Sequence, residues 1–170
     1  MAVSKDEFRQ AMSRFISGVT VVTSKTEDDR PHGITVSAFS SLSLEPPLVL
    51  ICIGQKASIH DHLKEGRHFA VNVLAEDQEH LSRQFAAKDD RFKNTRYTEG
   101  ITGSPLLEGA LAHIECRILH AYPGGDHTIF VGEVVAARVA DYNPLAYFRS
   151  NYVRLESLES RESGESGESL

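Results

Sequence analysis

Two long runs of strand-forming residues, joined by four turn-forming residues, constrain the fold of this chain more than any other feature. Ala110–Tyr122 and His127–Val139 flank the tetrapeptide Pro123-Gly124-Gly125-Asp126, whose glycines and aspartate favour a tight turn. A tight turn joins antiparallel strands, because parallel neighbours need a crossover connection of a dozen or more residues. The sequence therefore predicts a long antiparallel hairpin.

The remaining predicted elements are mostly strands. They are Val19–Thr23, a strand beginning at Ile34, Leu48–Ile53 and Phe69–Leu74. The predicted helices are Ser4–Phe15, Ser58–Glu65 and Asp77–Ala87. Because the helices are inserted between strands without strict alternation, the order favours a mainly β fold over a doubly wound parallel sheet, and specifically an antiparallel barrel with peripheral helices. The nucleotide-binding patterns of parallel folds, GxGxxG and GxxxxGK(S/T), are absent from the sequence.

For several segments the sequence also predicts helix capping, burial or loop structure. Ser4 and Glu7 have capping-box spacing, and Ser58 is the expected N-cap of the second helix. The continuous apolar run Leu48–Ile53 is expected to be buried on both faces. Lys88–Pro105 is polar and contains glycines, which indicates a long surface loop.

Length and charge distribution predict a single domain followed by a tail. A chain of 170 residues fits one domain, and from Glu156 onwards it is rich in Glu, Ser and Gly. We therefore expect one domain over residues 1–155 and a disordered acidic tail over 156–170. The five Glu and one Arg of the tail carry most of the net charge of -6, which leaves the domain nearly neutral. Such a domain lacks the basic surface that nucleic acids require, so no nucleic-acid partner is expected.

The sequence also predicts where the protein works. No apolar run is long enough to span a membrane, and no basic amphipathic stretch predicts binding to a membrane surface. The N-terminal stretch MAVSKDEFRQ lacks the apolar core of a secretion signal, so a cytoplasmic protein is expected. In that compartment Cys52 and Cys116, which lie in apolar runs, are expected to be buried free thiols.

The segment Gly33–Pro47 is the most informative candidate for a binding site. If it is extended, one face holds Thr35, Ser37, Phe39, Ser41 and Ser43. The opposite face holds Ile34, Val36, Ala38, Leu42 and Leu44. A row of hydroxyls with backbone N–H groups suits the ring carbonyls and phosphate oxygens of a planar heterocycle with a phosphate tail. The alternative is an edge strand whose polar face meets water.

A second candidate feature is IGQKASIHDHL (Ile53–Leu63). The N-terminus of the helix predicted from Ser58 would offer free N–H groups and a partial positive charge, which favour a phosphate. Lys56 would add a point charge to that site. The alternative is a plain capped helix with a solvated lysine.

His127 is the histidine with the most suggestive position. It follows the Gly-Gly-Asp turn at the mouth of a strand, where it can hydrogen-bond an amide or carbonyl of a ligand, although a structural or solvated histidine is the alternative. His60 and His62 would point apart on a helix, and the two cysteines show no paired spacing, so no metal site is predicted. GxSxG is absent, so nucleophilic hydrolysis is not supported.

Several separated segments, taken in order, resemble the short-chain flavin reductase family over about residues 7–155. They are FRQAMSRFISGVTVVTS, HGITVSAFSSLSLEPPLVLICIGQKAS, FAVNVLAEDQEHLSRQFA, LLEGALAHIECRI, GDHTIFVGEV and PLAYFRSNYVRL. The resemblance implies an antiparallel Greek-key split β-barrel that binds flavin, and a homodimer. It also implies hydride transfer from NADH, with NADPH as the alternative, to FMN or FAD. The reduced flavin would serve a partner monooxygenase, as in phenol and 4-hydroxyphenylacetate hydroxylases.

The same resemblance implies roles for individual residues. The flavin ring would lie along Thr35, Val36, Ser37 and Ala38. The ribityl and phosphate end would be held by Ser41, Ser43, Gln55, Lys56, Ala57 and Ser58. Phe85 matches an aromatic residue near the flavin, and the nicotinamide would meet His127 and Tyr152. Ser37 departs from the family, since many relatives carry Asn there. No catalytic side chain is implied, because hydride passes directly between the two cofactors.

Three other functions remain open from the sequence. The first is a reductase that passes electrons from flavin to ferric iron or a corrinoid. The second is a non-catalytic flavin carrier, although a carrier would not need Gly125–Thr128 or Tyr152. The third is a structural dimer module without a ligand. Consumption of NADH distinguishes the enzymes from the carrier, and titration with flavin identifies the structural module.

Overall fold

The computed structural model of the protein describes residues 3–64, 66–88 and 90–156. The helices of this part of the chain are α1 (Lys5–Met12) and α2 (Glu79–Ala86), and a 3-10 turn spans His60–His62. The strands are β1 (Ser17–Gly18), β2 (Thr20–Lys25), β3 (Pro31–Val36), β4 (Phe39–Ser43), β5 (Leu48–Gly54), β6 (His68–Val73), β7 (Tyr97–Glu99), β8 (Pro105–Leu107), β9 (Ala112–Gly124), β10 (His127–Val139), β11 (Ala146–Phe148) and β12 (Asn151–Val153). The predicted mainly β fold with antiparallel pairing is confirmed.

The largest sheet has seven strands and curls so that its two edges come close together. Its strand order is β3-β2-β6-β9-β10-β5-β4, which places β3 at one edge and β4 at the other. Only Ser37 and Ala38 connect these strands, so the Cα atoms of Val36 and Phe39 are at most about 11 Å apart. A hydrogen bond of 3.0 Å from the N–H of Cys52 to the carbonyl of Ala38 ties this link to β5. The chain therefore crosses from one edge of the sheet to the other in only two residues.

The long hairpin predicted from the sequence is present as β9 and β10, which lie in the middle of the sheet. The register opposes His127 to Gly124, so the turn consists of Gly125 and Asp126 rather than four residues. Gly125 has a φ of +71°, a left-handed conformation that glycine adopts without steric penalty. Two smaller sheets, β1-β11-β12 and β7-β8, complete the described fold.

The prediction of a helix over Ser58–Glu65 was wrong. The described part of this segment forms only the 3-10 turn His60–His62, whose N-cap position is Ile59 and has no side-chain capping bond. Ser58 therefore does not cap a helix, and a phosphate site built on that helix N-terminus is ruled out. The first helix is better predicted, since α1 begins with the expected capping box although it ends at Met12.

Predictions about three other segments also need correction. β5 alternates buried and half-buried residues, because only one of its faces points into the core. Gly33–Pro47 is not one extended segment, since β3 ends before Ser37 and β4 begins after Ala38. Lys88–Pro105 is not wholly a loop, because it contains β7, which pairs with β8.

Two expectations concern the chain as a whole. The disordered tail predicted over residues 156–170 lies outside the described residues, apart from Glu156. Within the described residues, neither helix has the length and apolar character needed to cross a membrane.

The buried core has two parts. One lies inside the curled sheet and includes Val22, Ile51, Ile53, Phe69, Val71, Cys116, Ile118 and Phe130. The other lies between α2 and the sheet and consists of Val19, Val21, Leu74, Leu81, Phe85, Leu107 and Leu145. Burial of these side chains stabilises the fold through the hydrophobic effect. The second cluster holds α2 beside β3 and so positions the candidate site.

Replacing Gly132 of β10 with alanine is expected to lower the free energy of unfolding by about 1–3 kcal/mol. A Cβ atom at this position would lie 2.7 Å from the ring of Phe69 and 2.9 Å from the Cβ of Cys116, and both residues are fully buried. The matched control is Gly18→Ala in β1, where a Cβ would have no neighbour within 4 Å. Urea unfolding measures both variants, and equal stabilities would contradict the packing at β10.

Candidate functional site

Three adjoining cavities meet at the break between β3 and β4. Their volumes are about 360, 220 and 190 Å³, and Ser37 lines all three. A larger cavity of about 500 Å³ lies elsewhere, but it contains none of the predicted site residues. Its lining includes the carboxylates Glu76, Asp77 and Asp141, which would repel a phosphate-bearing ligand. The break between the two edge strands is therefore the centre of the candidate site.

The break itself exposes unpaired backbone donors. Thr35 donates its hydroxyl to the carbonyl of Ser82 at 2.7 Å, and Val36 is buried, so neither presents a free side-chain polar group. Ser37 and Ala38 are exposed, and their N–H groups donate to none of the described residues. Two adjacent N–H donors at a cavity wall can hydrogen-bond acceptor atoms of a bound molecule.

The hydroxyl row expected from the sequence is not continuous. Because the chain turns at the break, β4 pairs with β5 at the other edge of the sheet, with Ser41 opposite Val49 and Ser43 opposite Leu48. Neither Ser41 nor Ser43 lines any of the three cavities, whereas Ser40 lines the largest of them. The sequence pattern missed Ser40 because it assumed one uninterrupted strand.

The loop after β5 is tied to the tip of the long hairpin. Gln55 donates its N–H to the carbonyl of Asp126 at 3.0 Å and its side-chain amide to the carbonyl of Gly125 at 3.3 Å. Lys56 is exposed and Ala57 is half-buried against the core. This loop and the hairpin tip therefore form one continuous rim.

His127 lies on this rim and lines the 190 Å³ cavity. Its ring sits over Gly54, where a Cβ atom would be 3.6 Å from Nε2. Its Nδ1 atom is 2.7 Å from the carboxylate of Asp126, and this hydrogen bond lowers the pKa of the Asp126 carboxyl. Because Nδ1 is engaged by Asp126, Nε2 is the nitrogen left for a ligand.

Tyr152 is part of an aromatic group beside the 220 Å³ cavity. Its hydroxyl is 2.8 Å from the hydroxyl of Ser82. The guanidinium of Arg83, a residue of α2, lies 5.0 Å from the centre of the Tyr152 ring. The ring of Tyr147 packs edge-on against Tyr152 at 5.2 Å. Tyr147 also lines this cavity, and the sequence analysis did not single it out.

Ser58 contacts two residues that the sequence analysis missed. The hydroxyl of Ser58 is 3.0 Å from Nε2 of His32 and accepts a hydrogen bond of 3.3 Å from Nη1 of Arg91. Arg91 also donates to the carbonyl of Gly33 at 2.9 Å. These residues are far apart in the sequence, so no local pattern could have grouped them.

Phe85 lies beneath the site rather than in it. Its side chain is fully buried and packs edge-on against Phe92 at 5.0 Å. A Cβ atom on Gly33 would lie 2.8 Å from the Phe85 ring, so glycine is required where β3 crosses α2. Phe85 therefore supports β3 from the core side.

Both cysteines are free thiols, as the sequence predicted. Cys116 is fully buried, and this burial raises the pKa of its thiol to about 12. Cys52 is only half-buried and lines two of the three cavities.

Comparison with known protein families identifies the chain. The model of a family described as flavin reductase like domain matches residues 12–156. The chain belongs to this flavin reductase-like family.

Individual relatives of this flavin reductase-like protein agree with that assignment. The reductase component of 4-nitrophenol 4-monooxygenase/4-nitrocatechol 2-monooxygenase from Rhodococcus opacus is 42% identical over 151 residues, which is 88% of this chain and 80% of the relative. The FMN reductase (NADH) SmoA of Agrobacterium fabrum is 43% identical over 140 residues, covering 82% of this chain and 80% of the relative.

A solved structure shows the same fold. The NADH:FAD oxidoreductase SgcE6 of Streptomyces globisporus C-1027, in complex with NAD and FAD fragments, superimposes with a TM-score of 0.85 and 39% sequence identity. The superposition covers 92% of this chain and 97% of the other. The described fold is thus that of a known flavin reductase.

Proposed function

We propose that this protein transfers a hydride from NADH to FMN or FAD and supplies the reduced flavin to a partner monooxygenase. The observation that carries the proposal is the junction of three cavities at Ser37, with His127 on one of them and Tyr152 on another. Hydride transfer requires two ring systems in contact, and adjoining cavities with different linings suit two different rings. Membership of the flavin reductase-like family supports the same activity.

The residues at the break between β3 and β4 fit a flavin ring. Flavin presents carbonyl oxygens and ring nitrogens that accept hydrogen bonds, and the N–H groups of Ser37 and Ala38 face no described acceptor. We assign the ring to the segment Thr35–Ala38, in which Thr35 and Val36 anchor the backbone and the next two residues donate. Because these donors are backbone groups, the presence of Ser rather than Asn at position 37 does not remove them.

The ribityl and phosphate end is assigned to the loop Gln55–Ser58. This loop carries a lysine, a hydroxyl and an amide side chain. It is tied to the hairpin tip, whose His127 lines the same cavity as the ring segment. Ser41 and Ser43 line none of the three cavities, so we leave them out of the assignment. Phe85 is assigned a supporting role because it is fully buried.

The nicotinamide is assigned to His127 and Tyr152. The nicotinamide cofactor supplies the hydride and the flavin accepts it, so no side chain has to act as an acid or base in that transfer. Nε2 of His127 is free to bond the nicotinamide amide, since Asp126 engages the other ring nitrogen. Ser82 and Arg83 hold the ring of Tyr152 in place. These residues contribute orientation, which accelerates a reaction between two bound rings.

We also propose that the curled sheet is a split β-barrel with Greek-key connections and that the protein is a homodimer. The two-residue link between the edge strands supports the barrel. None of the residues of α1 is buried, although Phe8 and Met12 are apolar and Phe15, just beyond the helix, is 74% exposed. Met12 and Phe15 border the 360 Å³ cavity, so a second copy covering them would also close the site.

Replacing Phe8 and Phe15 together with serine is expected to weaken dimer formation by about 100-fold or more, because burying each ring contributes about 1.5–3 kcal/mol. Sedimentation velocity over a range of protein concentrations measures the change. Val139→Ser, at an exposed apolar position of β10, serves as the control. A double variant that stays dimeric at the concentrations where the control is dimeric would argue against this interface.

The proposed activity is tested by following NADH absorbance in air while titrating FMN and then FAD. Flavin-dependent loss of NADH, with saturation by one flavin, is the expected result. The same titration with NADPH measures the preference for nicotinamide. Because NADH is formed and consumed in the cytoplasm, we expect the protein to act there. No NADH or NADPH loss with either flavin would reject the reductase, and flavin binding without turnover would identify a carrier.

A further inference from the structure

The surface around Ser58 gathers basic side chains from three separate parts of the chain. His32 lies on β3, His62 in the 3-10 turn and Arg91 in the segment after α2. The rings of His32 and His62 meet edge to face at 5.5 Å, and His32 and Arg91 both reach the hydroxyl of Ser58. We call these four residues the His32 cluster.

Arg91 is rigidly held and still has donors to spare. Its Nε donates to the carbonyl of Ala87 at 2.7 Å, and its Nη1 donates to Gly33 and Ser58. A guanidinium has five N–H donors, so the two on Nη2 remain, and no described residue accepts from them. No carboxylate among the described residues forms an ion pair with Arg91. A fixed guanidinium edge of this kind matches the oxygens of a phosphate.

This environment favours the neutral form of His32. Partial burial lowers the pKa of its imidazole, and the positive charges of His62, Arg91 and Arg30 lower it further.

The acidic groups of the neighbouring described segments are engaged by other residues. Asp61 lies 3.4 Å from Nδ1 of His60, and Asp90 accepts a hydrogen bond from the N–H of Phe92. Glu27 forms an ion pair with Lys64 at 3.2 Å. Among the described residues, no carboxylate therefore forms an ion pair with His32 to offset the positive charge around its ring.

The cluster lies at the far end of β3 from the break that carries the ring donors. His32 and Val36 are four residues apart on one strand, so they are separated by about 13 Å. That separation suits a ribityl chain ending in a phosphate when its ring lies at Ser37. This placement rests on the proposed flavin site.

We propose that the His32 cluster binds the phosphate end of the flavin and takes up one proton, on His32, when it does so. The incoming phosphate supplies the negative charge that the cluster lacks, and the proton comes from solvent. In the neutral state Ser58 can donate its hydroxyl hydrogen to Nε2 of His32. Once Nε2 is protonated, it donates a hydrogen bond to the hydroxyl oxygen of Ser58 instead. The Ser58 hydroxyl can then donate its own hydrogen bond to a phosphate oxygen.

The proton sets the direction of the pH dependence. At about pH 8 His32 stays neutral with or without ligand, so it adds nothing to the affinity. Near pH 6.5 it is neutral in the free protein and charged in the complex, so binding is strengthened. Uptake of one proton changes an affinity by at most tenfold per pH unit, and we expect FMN to bind about tenfold more tightly at pH 6.5 than at pH 8. Riboflavin has the same ring without the phosphate and should change less than about twofold.

The experiment measures the dissociation constants of FMN and riboflavin by fluorescence across this pH range. The variant His32→Gln keeps a hydrogen-bonding side chain beside Ser58 but cannot take up the proton, so it should flatten the FMN profile. His80→Gln, at an exposed histidine on α2, is the matched control and should keep the wild-type profile. Calorimetry of the wild-type protein in two buffers of different ionisation enthalpy counts the protons directly and needs no variant.

Three outcomes would overturn the inference. One is an equal pH dependence for FMN and riboflavin, and another is an unchanged FMN profile in His32→Gln. The third concerns the KM for NADH, measured with riboflavin as acceptor. If this KM follows the same pH profile in the wild-type protein and the profile disappears in His32→Gln, the nicotinamide nucleotide rather than the flavin phosphate occupies the cluster. If flavin binds and NADH is consumed in any of these cases, the proposed function stands. If no flavin binds at any pH, the proposed function fails as well.

Discussion

Replacing Phe85 with alanine is expected to lower the free energy of unfolding by about 3–5 kcal/mol, which is the usual cost of removing a buried phenyl ring. The ring is fully buried, packs against Phe92, and fills the space that Gly33 leaves open on β3. For a domain of this size the loss corresponds to a fall in melting temperature of about 10 °C. Thermal and urea unfolding measure it. Tyr142→Ala is the control, because Tyr142 is 57% exposed, and it should change stability by less than about 0.5 kcal/mol.

A second variant distinguishes support of the site from contact with the ligand. Phe85→Leu keeps most of the buried volume, so it should fold and bind flavin with nearly wild-type affinity. A stable Phe85→Leu variant with strongly weakened flavin binding would show that the ring touches the flavin, as the family resemblance suggested. A Phe85→Ala variant as stable as the wild type would contradict the core position of Phe85.

Replacing His127 with alanine is expected to raise the KM for NADH by about 2- to 10-fold while leaving the dissociation constant of FMN unchanged. The imidazole stands over Gly54 at the cavity wall, with Nδ1 held by Asp126 and Nε2 available to the nicotinamide amide. Losing one hydrogen bond of this kind costs about 0.5–1.5 kcal/mol, and 1.4 kcal/mol is a factor of ten in affinity. Steady-state kinetics at saturating FMN give the KM, and a fluorescence titration gives the FMN affinity.

His80→Ala is the matched control for this measurement. His80 is exposed on α2, and the carbonyl of Asp77 is the only hydrogen-bond partner of its ring among the described residues. It should leave both constants unchanged. Wild-type kinetics for His127→Ala at every NADH concentration would remove His127 from the nicotinamide site, and a large loss of FMN affinity would move it to the flavin site instead.

The secondary structure was predictable where local interactions decide it. The capping box of Ser4 and Glu7 sets the start of α1, and both hydrogen bonds of that motif form. Gly125 allows the left-handed turn of the long hairpin. The prediction failed at Ser58, because its hydroxyl contacts distant side chains rather than the next turn of a helix. A hydroxyl with several nearby partners cannot be assigned from its neighbours in sequence alone.

The candidate site was predictable only in part. Thr35, Ser37 and His127 were singled out from local pattern and family resemblance, and the structure brings Thr35 and Ser37 together with His127 at one cavity. Ser41 and Ser43 were singled out for the same reasons, but the turn between β3 and β4 carries them away from it. Arg91 and His32 were missed because they become neighbours only when α2 packs against β3.

The sequence by itself determined the antiparallel, mainly β character of this protein and the family to which it belongs. Turn residues, capping residues and apolar runs act over a few positions, so their effects can be read from the order of residues. Only the tertiary structure decided which groups form the site. The two-residue link at Ser37 and Ala38 joins opposite edges of the sheet and leaves two N–H donors without an acceptor among the described residues. The His32 cluster arises from contacts between residues far apart in the chain. Those contacts depend on packing and burial in three dimensions, which no local pattern specifies.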